Sequence, residues 1–201
     1  MSDKKLLILL HGYGASGMDL MPIGDYLKNA VTRFDLDYFA PDAFEVCDSN
    51  PNGFQWFQLS PDRNYSYNNE VHNVSAKVIS DIVLPEAKKR QIKISDLILC
   101  GFSQGGMVAL STMLTTKDKP LATICLSGLL MNDINPKGQT QSNILIMHGE
   151  EDNVLPINFY YKTKQQLDDQ GIKYQAKSYP NLGHSISQEE LNDLVIFLES
   201  L

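Results

Sequence analysis

Ser95-Asp-Leu-Ile-Leu-Cys-Gly-Phe-Ser-Gln-Gly-Gly106 reads as a strand running into a tight turn and out into a helix. The apolar run Leu97-Ile-Leu-Cys100 has the length and make-up of a buried strand, and Met107-Val-Ala-Leu110 continues with helical character. Between them stands Gly101-x-Ser103-x-Gly105, the spacing of a nucleophile elbow. A serine at the apex of a strained strand-to-helix turn projects its hydroxyl into a cleft. Glycines two residues to either side leave room where the turn crowds its own backbone. The helix that follows, from Gln104 to about Leu114, aims its positive end at the serine, where negative charge would develop.

A nucleophilic serine needs a base and an acid, which follow an elbow of this kind in the order acid, then histidine. The chain has four histidines, His11, His72, His148 and His184. Of these, His184 lies beyond the next strong acidic segment, in a loop between an expected strand and the C-terminal helix. The acidic segment is Ile144-Leu-Ile-Met-His-Gly-Glu-Glu-Asp-Asn-Val-Leu-Pro156, a strand ending in a Gly-containing turn. Glu150, Glu151 and Asp152 compete for the role of acid. Asp152 is favoured by its distance from the strand end and by the Asn-Val-Leu-Pro that follows. In this reading Ser103 attacks, His184 carries the proton, and Asp152 orients the imidazole and stabilises its charged form.

The developing oxyanion calls for two backbone N–H donors. One is that of Gln104, directly after the nucleophile. The other is expected from Tyr13, in the loop His11-Gly-Tyr-Gly14 that follows the apolar run Leu6–Leu10. Each such donor is worth about 2.7–4 kcal/mol to a transition state. His11, at a strand end, is read as a structural, hydrogen-bonded histidine rather than a rival base.

Taken together, these segments resemble the acyl-protein thioesterase/carboxylesterase family, the phospholipase/carboxylesterase branch of the α/β-hydrolases. The resemblance is carried by His11-Gly-Tyr-Gly14, Ala40-Pro-Asp-Ala43, Trp56-Phe57, Gly101-Phe-Ser-Gln-Gly-Gly106, Leu126-Ser-Gly128, His148-Gly-Glu-Glu-Asp152 and Gly183-His-Ser185, in family order along nearly the whole chain. It implies serine-dependent hydrolysis of esters or thioesters, with Ser103, Asp152 and His184 as triad and Tyr13 and Gln104 as oxyanion donors. The chain departs from the pattern at Ala15, where many members carry an acidic residue.

With 201 residues, 43% of them hydrophobic, the chain suits one globular domain spanning residues 1–201. A net charge of −7 argues against nucleic acid as a partner. Of the three cysteines, Cys100 and Cys125 lie in apolar strand-like runs and read as small buried hydrophobes. No disulfide framework is implied, which fits a reducing, cytoplasmic location. The five apolar residues Leu6–Leu10 are too few for a signal-peptide core, and no run approaches a membrane span.

Strand-like and helix-like segments alternate, the signature of a mostly parallel central sheet with helices on both faces. Strands are expected at about 5–10, 36–40, 96–100, 121–127, 143–148 and 173–179, and helices at about 19–30, 68–90, 104–114, 158–170 and 188–200. The intervals leave no space for a large lid domain. The irregular stretch Phe44–Asn69 is the candidate covering element, and its Trp56, Phe57 and Leu59 are candidate substrate-binding residues. Two readings of these three stand open, an acyl-pocket wall or core filling beneath the loop.

The expected partner is an ester or thioester substrate, such as an acylated protein or a lysophospholipid, and a homodimer is an expected assembly. No cofactor is called for, and the scattered histidines make no metal motif. The alternatives are a lysophospholipase and a non-catalytic binding protein on the same fold. The latter would normally have lost a triad member, and all three are present.

Overall fold

Leu6 to Leu10 are sealed from solvent on both sides of their strand, β1 (Lys4–Leu10). That two-sided burial is what a central parallel strand demands. Leu7 and Leu9 enter one core with Leu27 of helix α1 (Met21–Ala30) and Leu194, Phe197 and Leu198 of α6 (Gln188–Glu199). Leu6, Ile8 and Leu10 enter a second core against the opposite helical layer. That layer comprises α2 (Asn68–Lys77), α3 (Leu84–Arg90), α4 (Gln104–Thr115) and α5 (Asn158–Asp169).

The computed structural model describes residues 3–59, 68–131 and 142–201. With β2 (Asp35–Phe39), β5 (Leu97–Phe102), β6 (Ala122–Leu126), β7 (Asn143–Gly149) and β8 (Gln175–Tyr179), β1 forms a six-stranded sheet ordered β2-β1-β5-β6-β7-β8. Every pairing in it is parallel. This is the mostly parallel α/β-hydrolase sheet, helices on both faces, that the alternation of segments led one to expect. Among the described residues no helix is long and apolar enough to cross a membrane.

Two local features differ from the sequence reading. The stretch after Phe44 begins not as irregular chain but as an antiparallel hairpin, β3 (Glu45–Cys47) with β4 (Asn50–Gln55). Pro51 and Gly53 in β4 weaken the strand signal, and a two-stranded ribbon tolerates them because it has free edges. Residues 60–67 of the same stretch lie outside the described residues. The expected helix 68–90 is present but carries a π-helical segment, Val78–Val83, between α2 and α3. Pro85 cannot donate to the carbonyl of Asp81, and its ring would crowd that carbonyl in a regular α-turn; the wider turn relieves both.

The topology gathers four loops at one end of the sheet. From β1 the chain steps to one side, to β2, and later returns to β1's other side as β5, so the carboxyl ends of β1 and β5 flank a switch point where α/β proteins bind ligands. Leu10 stands opposite Gly101 in the β1–β5 register, which sets the His11–Ala15 loop beside the elbow. The ends of β7 and β8 supply the other two loops.

Candidate active site

Ser103 adopts φ 54°, ψ −117°, a backbone conformation that side-chain-bearing residues rarely take. Such a strained turn costs on the order of 1–3 kcal/mol. It is held by Ser103 N–H donating to Leu126 O at 2.8 Å and Met107 N–H donating to Ser103 O at 3.1 Å. The flanking glycines are there for space. A Cβ on Gly101 would sit 2.1 Å from Gly105 O, and one on Gly105 would sit 2.0 Å from Leu10 O.

His184 meets Ser103 Oγ through Nε2 at 2.9 Å and Asp152 Oδ2 through Nδ1 at 2.6 Å. The carboxylate of Asp152 is itself fixed, since its Oδ1 accepts the N–H groups of Val154 and Leu155, each at 2.8 Å. The loops carrying these two residues are stitched together. Glu150 N–H donates to Tyr179 O and Glu151 N–H to Leu182 O, both at 2.9 Å. Gly149 permits this approach, because a Cβ there would lie 2.2 Å from Leu182 O. The structure therefore brings Ser103, His184 and Asp152 into one chain of hydrogen bonds. Glu150 instead accepts from Ser178 Oγ, and Glu151 is exposed.

The other histidines of the two strand ends are structural. His11 is fully buried, donates from Nδ1 to Gly12 O at 2.7 Å and accepts Ala43 N–H at Nε2. Burial pushes its pKa down, so it is a neutral imidazole of fixed tautomer. His148, also buried and held below the usual histidine range by desolvation, donates from Nε2 to Leu155 O at 2.7 Å. That bond anchors the loop that holds Asp152.

Tyr13 and Gln104 sit at the ends of β1 and β5 as the sequence placed them. Among the described residues nothing accepts a hydrogen bond from either backbone N–H. Gln104 opens α4, so its free N–H carries the positive end of that helix.

Trp56 and Phe57 stand elsewhere than an exposed pocket wall. Trp56 is 1% and Phe57 3% exposed, both within the core that packs on α4. The indole N–H of Trp56 donates to His11 O at 2.8 Å, a fixed internal bond. Of the two readings, core filling is the one this burial supports, because a residue sealed on all sides offers no surface to an acyl chain. Leu59 is half-buried against the same core.

Phe102 escaped the sequence reading. Its ring lies 4.8 Å from that of His184, centroid to centroid, and flanks the imidazole. An aromatic directly before the elbow serine is the signal that could have found it. Glu190, three residues after the N-cap Ser187 of α6, is likewise unexpected. It is fully buried in the first turn of α6, where its carboxylate accepts Ser187 N–H at 2.9 Å while its N–H donates to Ser187 Oγ. Among the described residues no group of three or more His, Cys, Asp or Glu side chains is disposed to hold a metal ion.

Against known proteins, the profile of the phospholipase/carboxylesterase family matches residues 1–201. Acyl-protein thioesterase 1 of Candida albicans is 27% identical over 215 residues, covering 100% of this chain and 93% of its own length. The crystal structure of esterase PE8 superposes with a TM-score of 0.86 at 30% identity, covering 98% of this chain and 92% of that one. SOBER1 of Arabidopsis thaliana, at 21% identity and TM-score 0.82, covers 98% of each chain and shares the fold. By profile, sequence and structure alike, this chain belongs to the phospholipase/carboxylesterase family of α/β-hydrolases.

Proposed function

We propose that this protein hydrolyses carboxylic ester or thioester bonds by way of an acyl-enzyme on Ser103. One observation carries the reading: His184 stands hydrogen-bonded between the Ser103 hydroxyl, at 2.9 Å, and the Asp152 carboxylate, at 2.6 Å. With Nδ1–H donated to Asp152, Nε2 is left to accept the serine proton.

As Ser103 Oγ bonds to the substrate carbonyl carbon, its proton passes to His184 Nε2. The carbonyl π-electrons move onto oxygen, where the N–H groups of Tyr13 and Gln104 receive the charge. Collapse breaks the bond to the leaving oxygen or sulfur, which takes the proton from His184. Water then repeats the sequence on the acyl-serine, releasing the acid and regenerating the hydroxyl. Asp152 remains ionised throughout and stabilises the transient imidazolium. The scheme needs no cofactor.

The family's name and the thioesterase and esterase names of the relatives support ester and thioester substrates, with an acylated protein or a lysophospholipid as the natural acyl donor. A fluorophosphonate probe should label Ser103 and leave Ser103→Ala untouched. In that variant kcat on a p-nitrophenyl ester should fall by about 10⁴–10⁶. Retention of most activity by folded Ser103→Ala would overturn the mechanism. A parallel series of oxygen esters, thioesters and lysophosphatidylcholine would rank the substrate classes.

A further inference from the structure

The two donors offered to the oxyanion belong to different loops, and displacement of a reacting group by about 1 Å can cost roughly 10²-fold in rate. One short segment touches both loops. On the β1 side, Gly14 N–H donates to Phe54 O at 2.9 Å and Phe54 N–H donates to Ala15 O at 2.7 Å. Asn50 Nδ2 adds a bond to Gly14 O at 2.8 Å. The fit is close, for a Cβ on Gly53 would lie 2.0 Å from Gly14 O. On the β5 side, the side-chain amide of Gln104 accepts Trp56 N–H at 2.9 Å and donates to Phe57 O at 2.7 Å. Gln104 is buried, and its amide presents one acceptor and one donor to this backbone as a neighbouring strand would.

We infer that residues 50–57 are a brace that sets the Tyr13 and Gln104 donors in register, and that the Gln104 side chain is the positioning group anchoring it. Gln104 thus acts twice. Its backbone N–H faces the oxyanion, while its amide fixes the loop that carries the other donor. An amide is required because the groups to be satisfied are one N–H and one C=O. A carboxylate cannot donate, a thioether does neither, and Asn is one methylene too short. The inference rests on the oxyanion assignment of the proposed function.

Gln104→Met keeps the volume and the backbone N–H and removes both amide bonds. Its kcat on p-nitrophenyl acetate should fall by about 10–100-fold with KM within about threefold. Binding of an aryl trifluoromethyl ketone, which forms a tetrahedral oxyanion on the serine, should weaken by the same factor as kcat. A packing defect alone would not reproduce that match. Asn50→Ala, at an exposed position, should show the same pattern at about 3–10-fold. Folded Gln104→Met with kcat and ketone affinity within about twofold of the parent would overturn the brace. Should Gln104→Met not fold, parent-like kcat and ketone affinity in Asn50→Ala would overturn it instead. Ser103→Ala, assayed alongside, separates the two ideas: if it retains turnover, the serine mechanism itself has failed, whatever the brace variants do.

Discussion

Asp152 and His184, 32 positions apart in the chain, share a hydrogen bond of 2.6 Å between Oδ2 and Nδ1. The other carboxylate oxygen is already committed to the N–H groups of Val154 and Leu155. That commitment fixes the outcome of Asp152→Asn. The new Asn oxygen would stay with the two backbone donors, so its NH₂ would face His184 Nδ1. A donor there forces the imidazole proton onto Nε2, the tautomer that cannot accept from Ser103. The expected loss is about 10⁴-fold in kcat with little change in fold. Glu151→Gln, at an exposed position, should be nearly silent. The reverse ranking of the two variants would transfer the acid role to Glu151.

Gly105 has a simpler constraint. A methyl group there would occupy the space of Leu10 O, at 2.0 Å, with His11 O at 2.7 Å. Gly105→Ala must push β1 and the elbow apart, which separates Tyr13 from Gln104. Activity should fall by at least about 10²-fold, accompanied by a lower Tm. A variant with parent-like Tm and activity would mean that the elbow has slack the packing does not reveal.

Glu190 gives the molecule a stability that depends on pH. Burial, reinforced by the neighbouring Asp193 and Glu189 carboxylates, pushes its carboxyl up to about 7. In the unfolded chain a glutamate titrates near about 4.3. Between those values the folded protein holds a proton that the unfolded chain does not, so stability falls as pH rises. The contribution is fully present below about 4.3 and is lost as pH passes through 7. Glu190→Gln stays neutral throughout and can retain the capping bond to Ser187 N–H. Urea unfolding at pH 5 and pH 8 should show the variant gaining about 2–3 kcal/mol relative to the parent across that interval. Parallel curves for the two proteins would mean that Glu190 titrates normally.

The end of the sheet that carries the candidate site was legible because its signals are local. The elbow spacing, the His-Gly-x-Gly turn and the acidic turn after β7 each declare themselves within about ten residues. The four inner strands, β1, β5, β6 and β7, were legible too, being apolar runs buried on both faces, whereas the edge strands β2 and β8 are mixed in polarity and only partly buried. The β3–β4 hairpin was not, since Pro51 and Gly53 oppose strand formation and its pairing is justified by contact with Gly14 and Ala15, distant in sequence. Glu190 resembles any solvated first-turn glutamate of a helix, and nothing in its neighbours announces that it is buried. The same blindness applies to Trp56, whose surroundings in sequence are those of an exposed loop.

Trp56 therefore calls for a different expectation than an acyl wall. Its ring is sealed in the core, 5.3 Å from the His11 ring and 5.7 Å from that of Phe44, and its N–H holds His11 O. Trp56→Ala would open a cavity under the oxyanion loop and cost about 3–5 kcal/mol of stability. What activity survives should drop by the same factor on acetyl and octanoyl esters, because the damage falls on the loop that carries Tyr13 rather than on a chain-binding surface. Leu59, half-buried at the edge of the same core, is where selectivity could still reside. Trimming it to Ala should leave acetyl turnover intact. If the acyl chain lies along it, octanoyl turnover should weaken by up to about fourfold for each methylene left uncovered, the equivalent of about 0.8 kcal/mol. A larger loss on octanoyl than on acetyl ester in Trp56→Ala would place the indole in the acyl site after all.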